Sequence, residues 1–143
     1  MSASAVLKLM KEKEIEYVDL RFTDPRGKLQ HLTMDGKVVD EEMLNVGVYF
    51  DGSSIAGWKA INESDMILKP DLERQVVDPF TSHNTLILFC DVLDAVKKDP
   101  YERDPRSTAK KAEAYLKKSG IGDKANFGPE AEFFVFDDVR YKN

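Results

Sequence analysis

The chain has 143 residues, with 21 Lys and Arg against 26 Asp and Glu and a formal net charge of −5. That length fits one ordinary domain, or a small domain plus the start of another, and 42% hydrophobic with 33% charged residues is a globular composition. The acidic balance lacks the electrostatic footprint of a nucleic-acid binder, and the longest apolar stretch, residues 85–90 (TLILFC), is too short to span a bilayer.

Two further exclusions come from single features. The N-terminus, MSASAVLKLMKEKE, has no long apolar core before its charges begin, which argues against a secretory signal. Cys90 is the only cysteine, so neither an intrachain disulfide nor a Cys-based zinc site is available. A soluble, cytoplasmic protein without nucleic-acid or membrane partners is expected.

In chain order, Ser4 is placed to cap a short amphipathic helix carrying Val6, Leu7 and Met10 at helical spacing. The period then changes to two: Val18, Leu20 and Phe22 alternate with Tyr17, Asp19 and Arg21, as in a half-buried strand. Asp24-Pro25-Arg26-Gly27 supplies a fixed φ and a permissive φ for a tight turn, and residues 28–34 read as the return strand. A short helix is expected over residues 41–45, with Gly47 behind it as a stop signal.

Residues 51–65 carry no clean periodicity, and a loop of that length in a compact domain is usually functional or disordered. The next strand is expected at residues 66–69, halted by Pro70. Residues 85–91 are apolar on both faces and should form a central strand. Asp104 and Pro105 suit the N-cap and first position of a helix whose apolar stripe is Ala112, Tyr115 and Leu116 and which Gly120 closes. Residues 127–139 have a strand pattern.

A boundary fits within residues 97–106, which are charged, proline-bearing and free of large aliphatics. One helix and one strand beyond it cannot enclose a core, so the chain is expected to stop inside its second domain.

Two constellations could carry chemistry. Glu130 and Glu132 stand at i and i+2, which on a strand sends both carboxylates from one face, continued by Phe134 and Phe136. Paired carboxylates on an otherwise apolar face repel each other unless a cation intervenes, and carboxylate oxygens are what Mg²⁺ or Mn²⁺ selects. An acidic pair on a solvated strand end is the alternative that spacing leaves open.

The second is Asp51-Gly52-Ser53-Ser54, one anionic and two hydroxyl side chains beside a glycine. It can present a carboxylate to a small cation or donors to an anion; an ordinary turn, with Trp58 as an anchor, explains the same residues. No phosphate-binding glycine loop is present. His31 and His83 share no metal-ligand spacing and read as structural, Cys90 reads as a small core residue, and Lys110, Lys111, Lys117 and Lys118 read as a solvated helix face.

Residues 50–71 (FDGSSIAGWKAINESDMILKPD) and 127–138 (FGPEAEFFVFDD), with VDLRFTD at 18–24, Asp78-Pro79-Phe80 and RDPRSTA at 103–109, resemble glutamine synthetases of the bacterial type I class. The resemblance covers essentially the whole chain and only the front of the family chain. It implies an α+β fold, with a small β-grasp-like N-terminal domain over residues 1–98 and the truncated start of an α/β catalytic domain over 99–143.

The resemblance further implies ATP-dependent ligation of ammonia to glutamate through a γ-glutamyl phosphate, giving glutamine, ADP and phosphate. By motif match, Glu130 and Glu132 correspond to two Mg²⁺/Mn²⁺ ligands, Asp51 to the aspartate that binds ammonium and helps deprotonate it, and Ser54 to a supporting neighbour. Most of the ATP pocket, the remaining metal ligands and the glutamate-binding arginines would lie beyond Asn143, so the chain alone is expected to be inactive. The family assembles as a homododecamer of two stacked hexamers, in which the N-terminal domain of one subunit completes the site of the next. A γ-glutamyl-amine or polyamine ligase of the same superfamily, and a non-catalytic β-grasp interaction module, are the competing readings.

Overall fold

The computed structural model describes residues 1–58 and 64–142, so the 59–63 part of the expected long loop lies outside the described residues. The chain opens with helix α1 (Ala3–Glu12), capped by Ser2, whose hydroxyl accepts from the Ala5 N–H. The cap is thus Ser2, not Ser4: capping two residues earlier brings Ala3 into the buried face with Val6 and Met10.

Strand β1 (Tyr17–Thr23) turns through Asp24–Gly27 into strand β2 (Leu29–Asp35), an antiparallel hairpin in register Asp19↔Thr33 and Arg21↔His31. Asp24 holds the turn closed. Its carboxylate accepts from the Gln30 amide and from the backbone N–H groups of Lys28 and Arg26, each at 2.9 Å, which keeps it below the usual aspartate range. Gly27 supplies the positive φ, +83°, that the turn requires.

Asp40 caps helix α2 (Glu41–Val46) through the Met43 N–H. Gly47 then reverses the chain at φ +102°, where an added Cβ would lie 2.5 Å from the Leu68 carbonyl oxygen. Strand β3 (Val48–Asp51) follows and pairs antiparallel with the start of strand β4 (Asp65–Val77). Strand β5 (Thr85–Asp94) lies centrally in a five-stranded sheet ordered β2-β1-β5-β4-β3, parallel to β1 and antiparallel to β4.

The expected central strand is therefore present. The expected stop at Pro70 is not: β4 runs on to Val77, with a register shift between Pro70 and Gln75. β3 covers only Asp65–Leu68 of β4, so beyond Leu68 one side of β4 is an edge, where a residue without an N–H is tolerated.

The core lies between one face of this sheet and helices α1 and α2. Val18, Leu20 and Phe22 of β1 meet Leu86, Leu88, Cys90 and Val92 of β5, Met66 and Leu68 of β4, Val6 of α1 and Leu44 of α2. Each fully buried aliphatic here is worth about 1.5–3 kcal/mol. Burial also pushes the Cys90 thiol far above its ordinary pKa, so it behaves as a packing residue.

After β5, helix α3 (Pro105–Ser119) begins with Asp104 as N-cap and Pro105 in its first turn, and ends at Gly120 in the left-handed conformation. Its stripe is less covered than expected, with Tyr115 73% exposed. The strand expected over residues 127–139 does not form: the described residues beyond α3 carry no helix or strand and are almost all exposed. The pattern is suited to a strand, but a strand needs a neighbour for its N–H and C=O groups, and none of β1–β5 pairs with it.

Candidate functional site

The Asp51 loop is built where β3 ends. Asp51 pairs with Asp65 across the sheet and then caps a 3₁₀ turn over Gly52–Ser54. Gly52 is required by close approach: its missing Cβ would sit 2.2 Å from the Met66 sulfur and 3.0 Å from the Ser64 carbonyl oxygen. The turn can therefore press against the buried Met66 only without a side chain at that position.

The Ser53 hydroxyl donates to Asp51 Oδ1 at 2.6 Å and the Ser53 N–H donates to the same oxygen at 2.8 Å. These bonds, hydroxyl first, with a further one from the Ser64 side chain, hold the Asp51 carboxyl below the usual range. Asp51 is exposed and thus stands in water as a firmly ionised group. Ser54 is exposed at the end of the turn, and Ser53, a member of the motif for which the resemblance implies no separate role, is the residue that grips Asp51.

Trp58 anchors the same loop to its own domain. It is 5% exposed, stacks on Phe22 at 5.6 Å and meets Phe50 and Tyr101 edge-on at 6.2 and 5.8 Å. The Tyr101 hydroxyl and Arg103 guanidinium donate to the Trp58 and Gly57 carbonyl oxygens at 3.2 and 3.0 Å. The indole Nε1 is buried without a hydrogen-bond partner among the described residues. Trp58 is thus the anchor expected of it in this loop.

Glu130 and Glu132 are not brought to this loop. Both are exposed, on the stretch without regular structure, and neither makes a hydrogen bond or ion pair among the described residues. Phe133, Phe134 and Phe136 beside them are 82%, 86% and 67% exposed. The same-face geometry expected of a strand is therefore not in place. No group of three or more His, Cys, Asp or Glu among the described residues is arranged to hold a metal ion. Two carboxylates are the right donors but too few to complete the shell of a divalent ion, which takes about six oxygen ligands in a set geometry.

A polar cluster on the outer face of the β1–β2 hairpin escaped the sequence reading. Buried Asp19 accepts from Arg21 Nε at 2.7 Å and Thr33 Oγ1 at 2.7 Å and lies 2.8 Å from His31 Nδ1, while Arg21 also reaches Asp78 at 3.2 Å. Burial by itself would raise the Asp19 pKa; the bonds from Arg21, Thr33 and His31 outweigh it and hold the group below its ordinary value. The hairpin register, once fixed by the turn, was the available signal, since it sets Asp19 beside Thr33 and Arg21 beside His31. As expected, His31 and His83 are in structural contacts, His83 lying 3.2 Å from Glu16.

A sequence model of the glutamine synthetase beta-Grasp domain matches residues 14–95, and one of the glutamine synthetase catalytic domain matches residues 102–143. A glutamine synthetase of Rhizobium meliloti is 65% identical over 141 residues, covering 99% of this chain and 30% of that protein. One from Methylococcus capsulatus is 59% identical over 141 residues, with the same 99% and 30% coverage. Among solved structures, Plasmodium falciparum glutamine synthetase superposes with a TM-score of 0.75 at 23% identity, over 84% of this chain and 23% of that one, a likeness of fold. The chain spans about 30% of the length of these curated relatives. No helix among the described residues is long and apolar enough to cross a membrane. The beta-Grasp match alone takes in more than half of the chain, and with it the chain belongs to the glutamine synthetase family.

Proposed function

We propose that this chain forms the N-terminal part of a cytoplasmic glutamate–ammonia ligase, with the division between its β-grasp domain and the start of the catalytic domain near residue 98. The γ-carboxylate of glutamate attacks the γ-phosphorus of ATP and ADP leaves. Ammonia nitrogen then attacks the acyl carbon, the C–O bond to phosphate breaks, and glutamine and phosphate are formed. One proton must leave ammonium before its lone pair can attack.

The observation that carries this reading is the state of Asp51. Its carboxylate is exposed, ionised and held in one orientation by Ser53, so it can attract and position an ammonium cation; the same hydrogen bonds make it a weak base, so its help in deprotonation lies in holding the cation where its proton can leave. Ser54, beside it, plays a supporting part in the same loop. Glu130 and Glu132 are proposed to ligate Mg²⁺ or Mn²⁺ once the stretch that bears them is paired within a complete catalytic domain. The resemblance to the glutamine synthetase family implies that the Asp51 loop acts in trans, completing the site of an adjacent subunit in a dodecamer of two stacked hexamers, and the place of the loop in the small domain supports that reading.

The test is a chimera in which this chain replaces the matching 141 residues of the Rhizobium meliloti enzyme. Glutamine formed from glutamate, ATP and ammonium, with equimolar release of phosphate, is the expected result. A folded, assembled chimera that makes no glutamine would overturn the proposal.

A further inference from the structure

Helix α3 rests on the sheet in an unusual way. Of its 15 residues only Ser107 is buried, and Tyr115 and Leu116 face a groove of about 660 Å³ bounded by Ile121, Ala125 and Phe127 of the following stretch, not by the sheet. Its ties to the sheet are polar and lie in its first turns. Arg106 Nε donates to Asp91 Oδ1 of β5 at 2.8 Å, the other arm of the same guanidinium reaches the Asp71 carboxylate of β4, and Lys110 Nζ meets Asp91 Oδ2 at 2.5 Å.

Asp104, fully buried, adds the cap. It accepts from the Ser107 hydroxyl and N–H at 2.7 and 3.0 Å, and from the Val92 N–H of β5 at 3.5 Å. An isolated helix of this length is marginal in water, so whatever docks α3 also keeps it helical.

We infer that Arg106 is the pin of an electrostatic clamp, bridging Asp71 and Asp91, by which the β-grasp sheet holds α3, and that the joint opens without unfolding the sheet when the clamp is lost. The Arg106, Asp71 and Asp91 side chains are only 28%, 21% and 19% exposed, so their attraction is less screened than that of a surface pair.

Amide hydrogen exchange of the full 143-residue chain tests it, comparing wild type with Arg106→Met, which keeps the apolar stem, Asp71→Asn, and Leu116→Ala. In Arg106→Met the amides of α3 should exchange about tenfold faster or more while those of β1 and β5 keep their protection, as expected of a separately opening unit. Asp71→Asn should give a smaller change in the same direction, and Leu116→Ala almost none. Raising salt to about 0.5 M should speed α3 exchange in wild type more than in Arg106→Met. Unchanged α3 protection in Arg106→Met, parallel loss of protection in β1 and β5, or release of α3 by Leu116→Ala to the same extent would each overturn the clamp.

Discussion

Ser53 grips Asp51 twice on one oxygen, by its hydroxyl at 2.6 Å and its N–H at 2.8 Å. Both donors favour the ionised carboxyl. In Ser53→Ala the hydroxyl is lost and the N–H stays, so the Asp51 midpoint should move up toward, without passing, its ordinary 3.8. Carboxyl-carbon NMR titration measures this directly; an unmoved midpoint would contradict the assigned cause.

Gly52→Ala should destabilise the chain, because the new methyl group must displace Met66 or shift the Ser64 backbone. Overpacking of this kind costs about 1–3 kcal/mol. Shortening the obstruction in Gly52→Ala/Met66→Ala should give less loss than the two single changes added together. Urea denaturation of the four proteins tests it, and strict additivity would show that the two positions do not meet.

Trp58 is the only tryptophan, so its fluorescence reports the anchor of the Asp51 loop alone. Buried among Phe22, Phe50 and Tyr101, it should emit at short wavelength and resist acrylamide quenching until the chain unfolds. Trp58→Ala should cost about 3–5 kcal/mol, the usual loss for emptying a large aromatic site. Emission at the wavelength of free indole in native buffer would contradict the packing.

Acid should weaken the fold through Asp19. Its folded-state pKa lies below 3.8, so the unfolded chain takes up the proton first, and the stability it contributes is present above 3.8 and lost as pH falls through the lower folded value. The slope of unfolding free energy against pH below about pH 4 should be flatter in Asp19→Asn than in wild type. Equal slopes would show that the contacts with Arg21, Thr33 and His31 do not favour the ionised form.

Much of this architecture was legible because local chemistry decided it. Asp24 and Gly27 fix the first hairpin, Asp40 and Gly47 bound α2, and Asp104, Pro105 and Gly120 bound α3. The misses have tertiary causes. Pro70 halts a strand only when both sides are paired, and the short reach of β3 is invisible in the residues around Pro70. Alternation at residues 127–139 states what the stretch can become, while its partner decides whether it does. In the site, Asp51 was readable as an anionic loop residue, but the grip of Ser53 and the clearance at Gly52 depend on distances that only the folded turn supplies.

The most direct measurement concerns whether the Asp51 loop and the paired glutamates complete one site from two chains. In the chimeric enzyme, Asp51→Ala and Glu132→Ala subunits, each nearly inactive alone, are co-expressed with distinct affinity tags, and mixed assemblies are isolated through both tags. Where Asp51 serves the neighbouring subunit, some interfaces join the intact Asp51 of one chain to the intact Glu132 of the next. Random mixing at equal ratio should then restore about one quarter of the wild-type sites. Glutamine formation near that level is the predicted result, and no recovery in confirmed mixed assemblies would contradict the shared site.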